Sequence, residues 1–152
     1  MKIVSILNND KFLDEYISLC NLEWGSKKKV TLEYISNKKK HIINDDKVIS
    51  ILGLVNNNIL MGFISLFKYD GEFRKDLTPW YATMYIKEEY RNKGYSKILN
   101  KAILDEAIRL RYTKIYLKTS LINYYEKFGF RYIEKLENGE NLYYIDLGGI
   151  YV

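Results

Sequence analysis

The sequence of 152 residues contains one cysteine, one histidine and one proline, and these scarcities exclude several classes of protein. Cys20 alone cannot form an intrachain disulfide, which favours a reducing compartment. His41 has no second histidine or cysteine nearby, so no metal site is predicted. No apolar run approaches the ~20 residues of a membrane span, and the N-terminus lacks the layout of a signal peptide. The sequence therefore predicts a cytoplasmic protein without a membrane segment.

The length and composition fit a soluble globular protein. Apolar residues are 47% and charged residues 28% of the chain, and 152 residues suffice for one domain with a sizeable core. We therefore predict a single domain over residues 1–152. The net charge of +5 raises the question of nucleic acid. Because the lysines are interleaved with acidic residues, we do not expect a nucleic-acid partner.

Hydrophobic periodicity predicts an α/β (α+β) chain with a mostly antiparallel sheet of six to seven strands flanked by about four helices. The predicted strands are 2–7, 47–55, 59–69, 80–86, 114–119, 130–136 and 141–147. The predicted helices are 10–24, 30–40, 95–110 and 121–128. Asn9 or Asp10 caps the first helix, Gly25 ends it, and His41 follows the second helix in a loop.

The most informative stretch is Thr78–Ser96, in which a strand rich in aromatic and branched residues is followed by a short cationic turn and a helix. The turn has the sequence Arg91-Asn92-Lys93-Gly94-Tyr95-Ser96. The first-turn N–H groups of a helix attract anions, and Gly94 allows a ligand to approach the backbone closely. A phosphate site is one interpretation, and an ordinary solvated turn is the other.

Three motifs of this sequence resemble the GNAT superfamily of N-acetyltransferases. The turn matches the acyl-CoA pyrophosphate loop as Arg91-x-x-Gly94-x-Ser96, with serine in place of the usual final glycine or alanine. The segment Tyr125–Phe130 reads Tyr-Glu-Lys-Phe-Gly-Phe and resembles the motif after the fifth strand of the family. The segment Arg74–Trp80 resembles the Arg-x-Asp-Leu-x-Pro-Trp of a branch of small bacterial members.

The resemblance implies a GNAT-like fold and transfer of the acetyl group of acetyl-CoA to a primary amine of a small molecule or a protein. It assigns the pyrophosphate to Arg91, Asn92, Lys93, Gly94, Tyr95 and Ser96. The backbone near Tyr85 and Ile86 would polarise the thioester oxygen. Tyr125 would protonate the leaving thiolate, although an aromatic residue that only packs is the alternative interpretation.

Two further sets of contacts follow from the resemblance. Lys118 replaces an asparagine that binds pantetheine in many members, so Thr119 or Ser120 is expected to make that contact. The acceptor amine is assigned to an aromatic and acidic wall of four residues, namely Trp24, Asp76, Trp80 and Tyr81. Trp80 could equally belong to the core. The general base stays open among Glu23, Asp76, Glu88 and Glu89.

Two more possibilities remain open in the sequence. The first is a non-catalytic module of the same fold that binds or senses acyl-CoA, which would need the phosphate loop but not Tyr125. The second is a homodimer, for which the C-terminal hairpin with Tyr143, Tyr144 and Ile145 is the candidate surface.

Overall fold

The computed structural model describes residues 1–26 and 30–148, which form a seven-stranded sheet with helices on both faces. The strands are β1 (Lys2–Ser5), β2 (Val48–Asn56), β3 (Ile59–Phe67), β4 (Trp80–Ile86), β5 (Lys114–Thr119), β6 (Arg131–Lys135) and β7 (Asn141–Asp146). The α-helices are α1 (Asp10–Trp24), α2 (Leu32–Asn44) and α3 (Tyr95–Arg109). Short 3₁₀ turns lie at Ile6–Asn8, Glu88–Tyr90 and Tyr125–Phe128.

The sheet order is β1-β2-β3-β4-β5-β7-β6, and only the pair β4–β5 is parallel. This confirms the predicted mixed, mostly antiparallel fold. Residues 1–26 and 30–148 contain three α-helices where about four were expected. None of these helices is both long and apolar enough to cross a membrane.

Side-chain caps fix where the first two helices begin. The carboxamide of Asn9 accepts a hydrogen bond from the Phe12 N–H, as predicted for α1. The Thr31 hydroxyl accepts one from the Tyr34 N–H, so α2 begins at Leu32. No glycine or proline interrupts the polar run that follows, and α2 continues to Asn44. His41 therefore lies within α2, and the prediction of a loop was wrong.

The predicted helix at 121–128 is also wrong, because only Tyr125–Phe128 forms a 3₁₀ turn. Leu121 and Ile122 are exposed, so the apolar face that the pattern suggested is not buried there. Asn123 adopts a left-handed backbone conformation with φ of 60°. That conformation interrupts a right-handed helix before it can begin.

The two faces of the sheet are covered by different helices. The α3 face is the side on which Leu66, Tyr81, Leu117 and Phe130 pack with Leu99 and Ile103 of α3. The α1 face is the opposite side, where Phe63 and Ile51 pack against Phe12, Leu13 and Tyr16 of α1. Side chains alternate between the faces along each strand. This alternation decides which residues meet at the site.

Strands β4 and β5 separate almost as soon as they pair. Their only paired residues in the described sheet are Trp80 and Tyr116, beyond which the two strands diverge. β4 also carries a bulge, because its register to β3 shifts between Phe63 and Ser65. Thr83 lies in this bulge with φ of 49°, an uncommon conformation for a β-branched residue. The result is an open slot in the middle of the sheet.

The C-terminal hairpin does not present the surface that was expected. Tyr143 and Ile145 of β7 are buried in the core of the α3 face. They point inward because residues two apart on a strand share a face, and this face of β7 packs with Leu117 and Phe130. The proposed dimer surface is therefore wrong for these two residues, and the oligomeric state stays a prediction.

Candidate active site

The cationic turn leads directly into the N-terminus of α3. Gly94 adopts φ of 81° at the N-cap position, where no side chain caps the helix. A Cβ at Gly94 would meet no atom within 4 Å, so the space in front of the helix is open. The first-turn N–H groups of a 15-residue helix face this space with the positive end of the helix dipole behind them. The arrangement suits a phosphate or another anion.

The side chains of the turn have different roles. Arg91 donates from Nε to the Ile86 carbonyl oxygen at 2.8 Å, and its guanidinium lies 5.5 Å from the centre of the Tyr85 ring. This fixes Arg91 against the end of β4. Lys93 is exposed and does not line the cavity in front of α3. It can contribute charge there only from a distance.

A cavity of about 540 Å³ lies in front of this turn. Its lining includes the predicted residues Tyr85, Ile86, Arg91, Asn92, Gly94, Tyr95 and Ser96. The structure adds Glu23, Lys97, Tyr124 and Lys127, which sequence reasoning did not assign to the loop. Lys127 belongs to the Tyr-Glu-Lys motif, so that motif could have indicated it. Lys97 directly follows Ser96 in the first turn of α3, so its position in the sequence could have indicated it.

A second cavity of about 430 Å³ fills the slot between β4 and β5, and Met84 borders both cavities. We call this second cavity the cleft. From the α3 face it is lined by Tyr81, Met84, Leu117, Thr119 and Tyr125. From the α1 face it is lined by Trp24, Asp70, Thr83, Lys118 and Glu140. The cleft therefore connects the two sides of the sheet.

Tyr125 lies in the cleft within a group of aromatic rings. Its ring centre is 5.8 Å from that of Tyr81 and 6.0 Å from that of Phe130. Burial, and secondly the neighbouring Tyr124, raise the pKa of Tyr125 to about 12. The hydroxyl therefore stays protonated at neutral pH and can donate a hydrogen bond into the cleft.

The hydroxyl of Tyr81 is a polar group without a hydrogen-bond partner among the described residues. The residue is 4% exposed and lines the cleft. Burial, and secondly Tyr125, raise the pKa of Tyr81 well above its ordinary value. A buried hydroxyl left unpaired costs stability, so such a group points to a hydrogen-bonding ligand.

A polar network lies under the bulge of β4 on the α1 face. The Tyr16 hydroxyl is 2.9 Å from the Ser65 hydroxyl, which is also bonded to the Thr83 hydroxyl. Burial raises the pKa of Cys20, beside Tyr16, to about 12, so this thiol stays protonated and unreactive. The network ties α1, β3 and β4 together where the backbone is strained. It therefore holds the slot open.

The predicted acceptor residues are separated by the fold. Trp24 and Tyr81 line the cleft, and Trp24 is 51% exposed. Trp80 is 0% exposed and donates from its indole nitrogen to the Leu77 carbonyl oxygen at 2.9 Å. Asp76 is held by the Arg74 guanidinium through bonds of 3.0 and 2.9 Å and does not line the cleft. The structure thus places Trp80 in the core and Asp76 in an exposed ion pair.

The candidate bases are separated as well. Of Glu23, Glu88 and Glu89, only Glu23 borders a cavity, the one in front of α3. Two carboxylates that sequence reasoning missed, Asp70 and Glu140, line the cleft. No local pattern indicates them, because 70 residues of chain separate the two. Thr119 also lines the cleft, where its hydroxyl accepts a hydrogen bond from the Leu121 N–H.

This geometry agrees with a family match over most of the chain. The model of the Acetyltransferase (GNAT) family matches residues 13–130, which contain the turn, the slot and Tyr125. The chain belongs to the GNAT acetyltransferase family. Two of the three motifs on which the sequence resemblance rested, Arg91–Ser96 and Tyr125–Phe130, contribute residues to the two cavities described above.

Individual GNAT proteins resemble the chain over nearly its whole length. The spermine/spermidine N(1)-acetyltransferase of Bacillus subtilis (strain 168) is 29% identical over 151 residues, covering 93% of this chain and 94% of that protein. An aminoglycoside 6'-N-acetyltransferase solved with coenzyme A has a TM-score of 0.74 at 16% identity, with 97% of each chain covered. The PaiA N-acetyltransferase of Thermoplasma acidophilum, also solved with coenzyme A, has a TM-score of 0.61 at 19% identity, covering 96% and 99%. These two structures share the fold.

Proposed function

We propose that residues 1–152 act as one N-acetyltransferase domain that moves the acetyl group of acetyl-CoA to a primary amine. The observation that carries this proposal is that the open N-terminus of α3 and Tyr125 border two cavities that meet at Met84. An extended ligand bound with its phosphates at α3 can run along β4 and bring its other end to Tyr125. Coenzyme A in the structures of two GNAT neighbours supports this choice of ligand.

The chain's own residues would bind and orient acetyl-CoA, which supplies an acetyl group activated as a thioester. The first turn of α3 and the side chains of Arg91, Lys97 and Lys127 attract the phosphates. The backbone of β4 near Tyr85 and Ile86 donates N–H groups to the oxygen that gains charge during transfer. These groups are held in place by the strained bulge before they meet the ligand.

Tyr125 would act on the departing sulfur. As the nitrogen–carbon bond forms and the carbon–sulfur bond breaks, the amine loses one proton and the thiolate gains one. A thiol with an ordinary pKa of about 8.5 is a stronger acid than Tyr125. Tyr125 therefore first stabilises the thiolate by donating a hydrogen bond. It then passes its proton to the sulfur and regains one from the amine nitrogen, so that the net transfer is from the amine to the thiol and Tyr125 is restored.

We infer that the acceptor is a small cationic amine that enters from the α1 face. The relative from Bacillus subtilis is described as acting on spermine and spermidine, and a structural neighbour as acting on an aminoglycoside. The cleft volume of about 430 Å³ suits a ligand of that size. Trp24 would form its aromatic wall.

Calorimetric titration of acetyl-CoA into the protein tests the cofactor site. We expect saturable binding that the double variant Arg91→Ala/Lys93→Ala weakens by about tenfold, since it removes the Arg91 guanidinium from the cavity lining and the more distant charge of Lys93. Lys101→Ala is the matched control, because it removes one cation from the exposed side of α3, where Lys101 pairs with Asp105. Absence of binding to the unaltered protein would remove the acetyltransferase proposal. Binding without release of free thiol, with every amine tested, would favour the non-catalytic module.

A further inference from the structure

Three charged side chains from distant parts of the chain meet at the α1-face wall of the cleft. Asp70 follows β3, Lys118 belongs to β5, and Glu140 immediately precedes β7. The Lys118 ammonium is 4.0 Å from a carboxylate oxygen of Glu140, and it lies close over Gly71. Its side chain is only 16% exposed. Because the Lys118 side chain is directed inward, toward two acidic residues, this wall already accommodates one ammonium group.

The negative charge of this wall exceeds what the protein's own cations offset. Asp70 is partly buried and makes no hydrogen bond or ion pair within 4 Å among the described residues. Burial raises the pKa of Asp70, while Lys118 and secondly Lys47 lower it and Glu140 raises it. The effect of burial prevails, so the cations present do not fully compensate for the lost hydration of this carboxylate. A further cation placed beside Asp70 would supply the missing compensation.

An independent feature shows that the same cavity is built for a polar ligand. Tyr81 lines the cleft, and its buried hydroxyl has no hydrogen-bond partner among the residues that the structure describes. The exposed indole of Trp24 forms the outer wall. The acidic pair thus belongs to a cavity with an aromatic wall, an unpaired hydroxyl and the proposed acid Tyr125.

We propose that Asp70 and Glu140 form a subsite for a second ammonium group of the acceptor, so that the substrate is a diamine or polyamine. Lys118 is the resident cation of this subsite, and the substrate's distal ammonium displaces it. This inference rests on the proposed function, since the amine that reacts must reach Tyr125 while the distal one is held. The subsite predicts opposite effects for two kinds of substitution. Loss of the charge of Asp70 or Glu140 weakens diamine binding, and loss of the charge of Lys118 strengthens it.

The first test compares 1,4-diaminobutane with butylamine, which has the same carbon chain without the second amine. For the unaltered enzyme, kcat/KM is expected to be about 10- to 100-fold higher for the diamine, the range of a charge-assisted hydrogen bond. Asp70→Asn and Glu140→Gln should each remove most of this preference by raising KM for the diamine, with kcat little changed. kcat/KM for butylamine should fall far less than kcat/KM for the diamine, because butylamine has no second ammonium group for the lost carboxylate to bind.

Lys118→Met keeps the length of the side chain and removes its charge. It should tighten diamine binding, because the substrate no longer competes with a resident ammonium. A misfolded variant would not produce that gain. Asp105→Asn is the matched control, since it removes one carboxylate from an exposed pair with Lys101 on α3. It should leave the diamine preference intact.

Calorimetric titration of 1,4-diaminobutane into the enzyme saturated with coenzyme A separates this inference from the proposed function. Diamine binding that Asp70→Asn weakens and Lys118→Met strengthens supports the subsite, even if no acetyl transfer occurs and the enzymatic proposal fails. Equal kcat/KM for the two amines in an active enzyme overturns the subsite. So does diamine binding that neither Asp70→Asn nor Lys118→Met changes.

Discussion

The two ends of the site are built in different ways. In front of α3, the site consists of consecutive residues, Arg91 to Ser96, and its main donors are backbone N–H groups at a helix terminus. At the α1-face wall, it consists of side chains from α1, a loop, β5 and the residue before β7. Under the proposed function, the first end binds the phosphates of acetyl-CoA. The second end is free to differ with the acceptor.

The bulge of β4 lies between these two ends of the site. The Tyr16–Ser65–Thr83 network anchors β4 to α1 and β3 at a residue with strained φ. On one side of this anchor, β4 continues to the phosphate loop, and on the other it leads to Tyr81 and the cleft. Strain of this kind persists only where surrounding contacts fix it. We expect a variant at one end to change the KM of one substrate and to leave the KM of the other unchanged.

The largest effect is expected for Tyr125→Phe, which alters the lining of the cleft. Loss of the hydroxyl should lower kcat by about 10²- to 10⁴-fold, the usual contribution of general acid catalysis. The affinity for acetyl-CoA should change little, because the ring and its contacts with Tyr81 and Phe130 are retained. Stopped-flow detection of free thiol together with calorimetry would measure both. Full activity in this variant would show that Tyr125 only packs.

The next largest effect is expected at the phosphate end. Arg91→Ala/Lys93→Ala should raise KM for acetyl-CoA about tenfold and leave KM for the amine unchanged. Because these side chains are exposed, the effect should shrink as ionic strength rises. Initial rates at two salt concentrations would show this. A rise in the amine KM would mean that the two ends are not independent.

A smaller effect is expected at the acceptor end, where the KM of the amine should change and the KM of acetyl-CoA should not. Trp24→Ala should raise KM for the amine by up to about tenfold, since an aromatic contact contributes roughly 0.5–1.5 kcal/mol beyond its buried area. KM for acetyl-CoA should remain near its original value. Trp24 also contacts the Tyr85 ring at 6.2 Å, so Trp24→Phe is a useful companion that retains a ring there. If only the KM of acetyl-CoA changes, Trp24 belongs to the end of the site in front of α3 and does not contact the amine.

The smallest effect is expected in the network, for Tyr16→Phe. The Ser65 and Thr83 hydroxyls keep each other as partners, so the variant should lose only about 1 kcal/mol of unfolding free energy. Chemical denaturation would measure this loss. Ser65→Ala should cost more, because it removes the hydroxyl that is bonded to both Tyr16 and Thr83 and leaves these two only their longer mutual hydrogen bond of 3.4 Å. The opposite order would show that Ser65 is not the centre of the network.

The local sequence was sufficient to predict an element where contacts between neighbouring residues determine that element. Alternation predicted β4 at 80–86 and β5 at 114–119, and these bounds match the structure. Asn9 was identified as a possible cap of α1 because it precedes the first apolar position of that helix. The prediction failed at 121–128, where Leu121 and Ile122 have apolar character but no partner to pack against. Apolar spacing alone could not show that.

The sequence by itself determined the cationic turn before α3, because a strand, a glycine with positive φ and a helix terminus are all consequences of a few adjacent residues. Only the tertiary structure decided the acceptor end. Pairing of β5 with β7 brings Lys118 beside Glu140, and the end of β3 brings Asp70 to them. Burial likewise decided that Trp80 belongs to the core, although it directly precedes Tyr81 in the cleft. Adjacent residues on a strand face opposite sides, and the packing of whole elements decides which side meets the ligand.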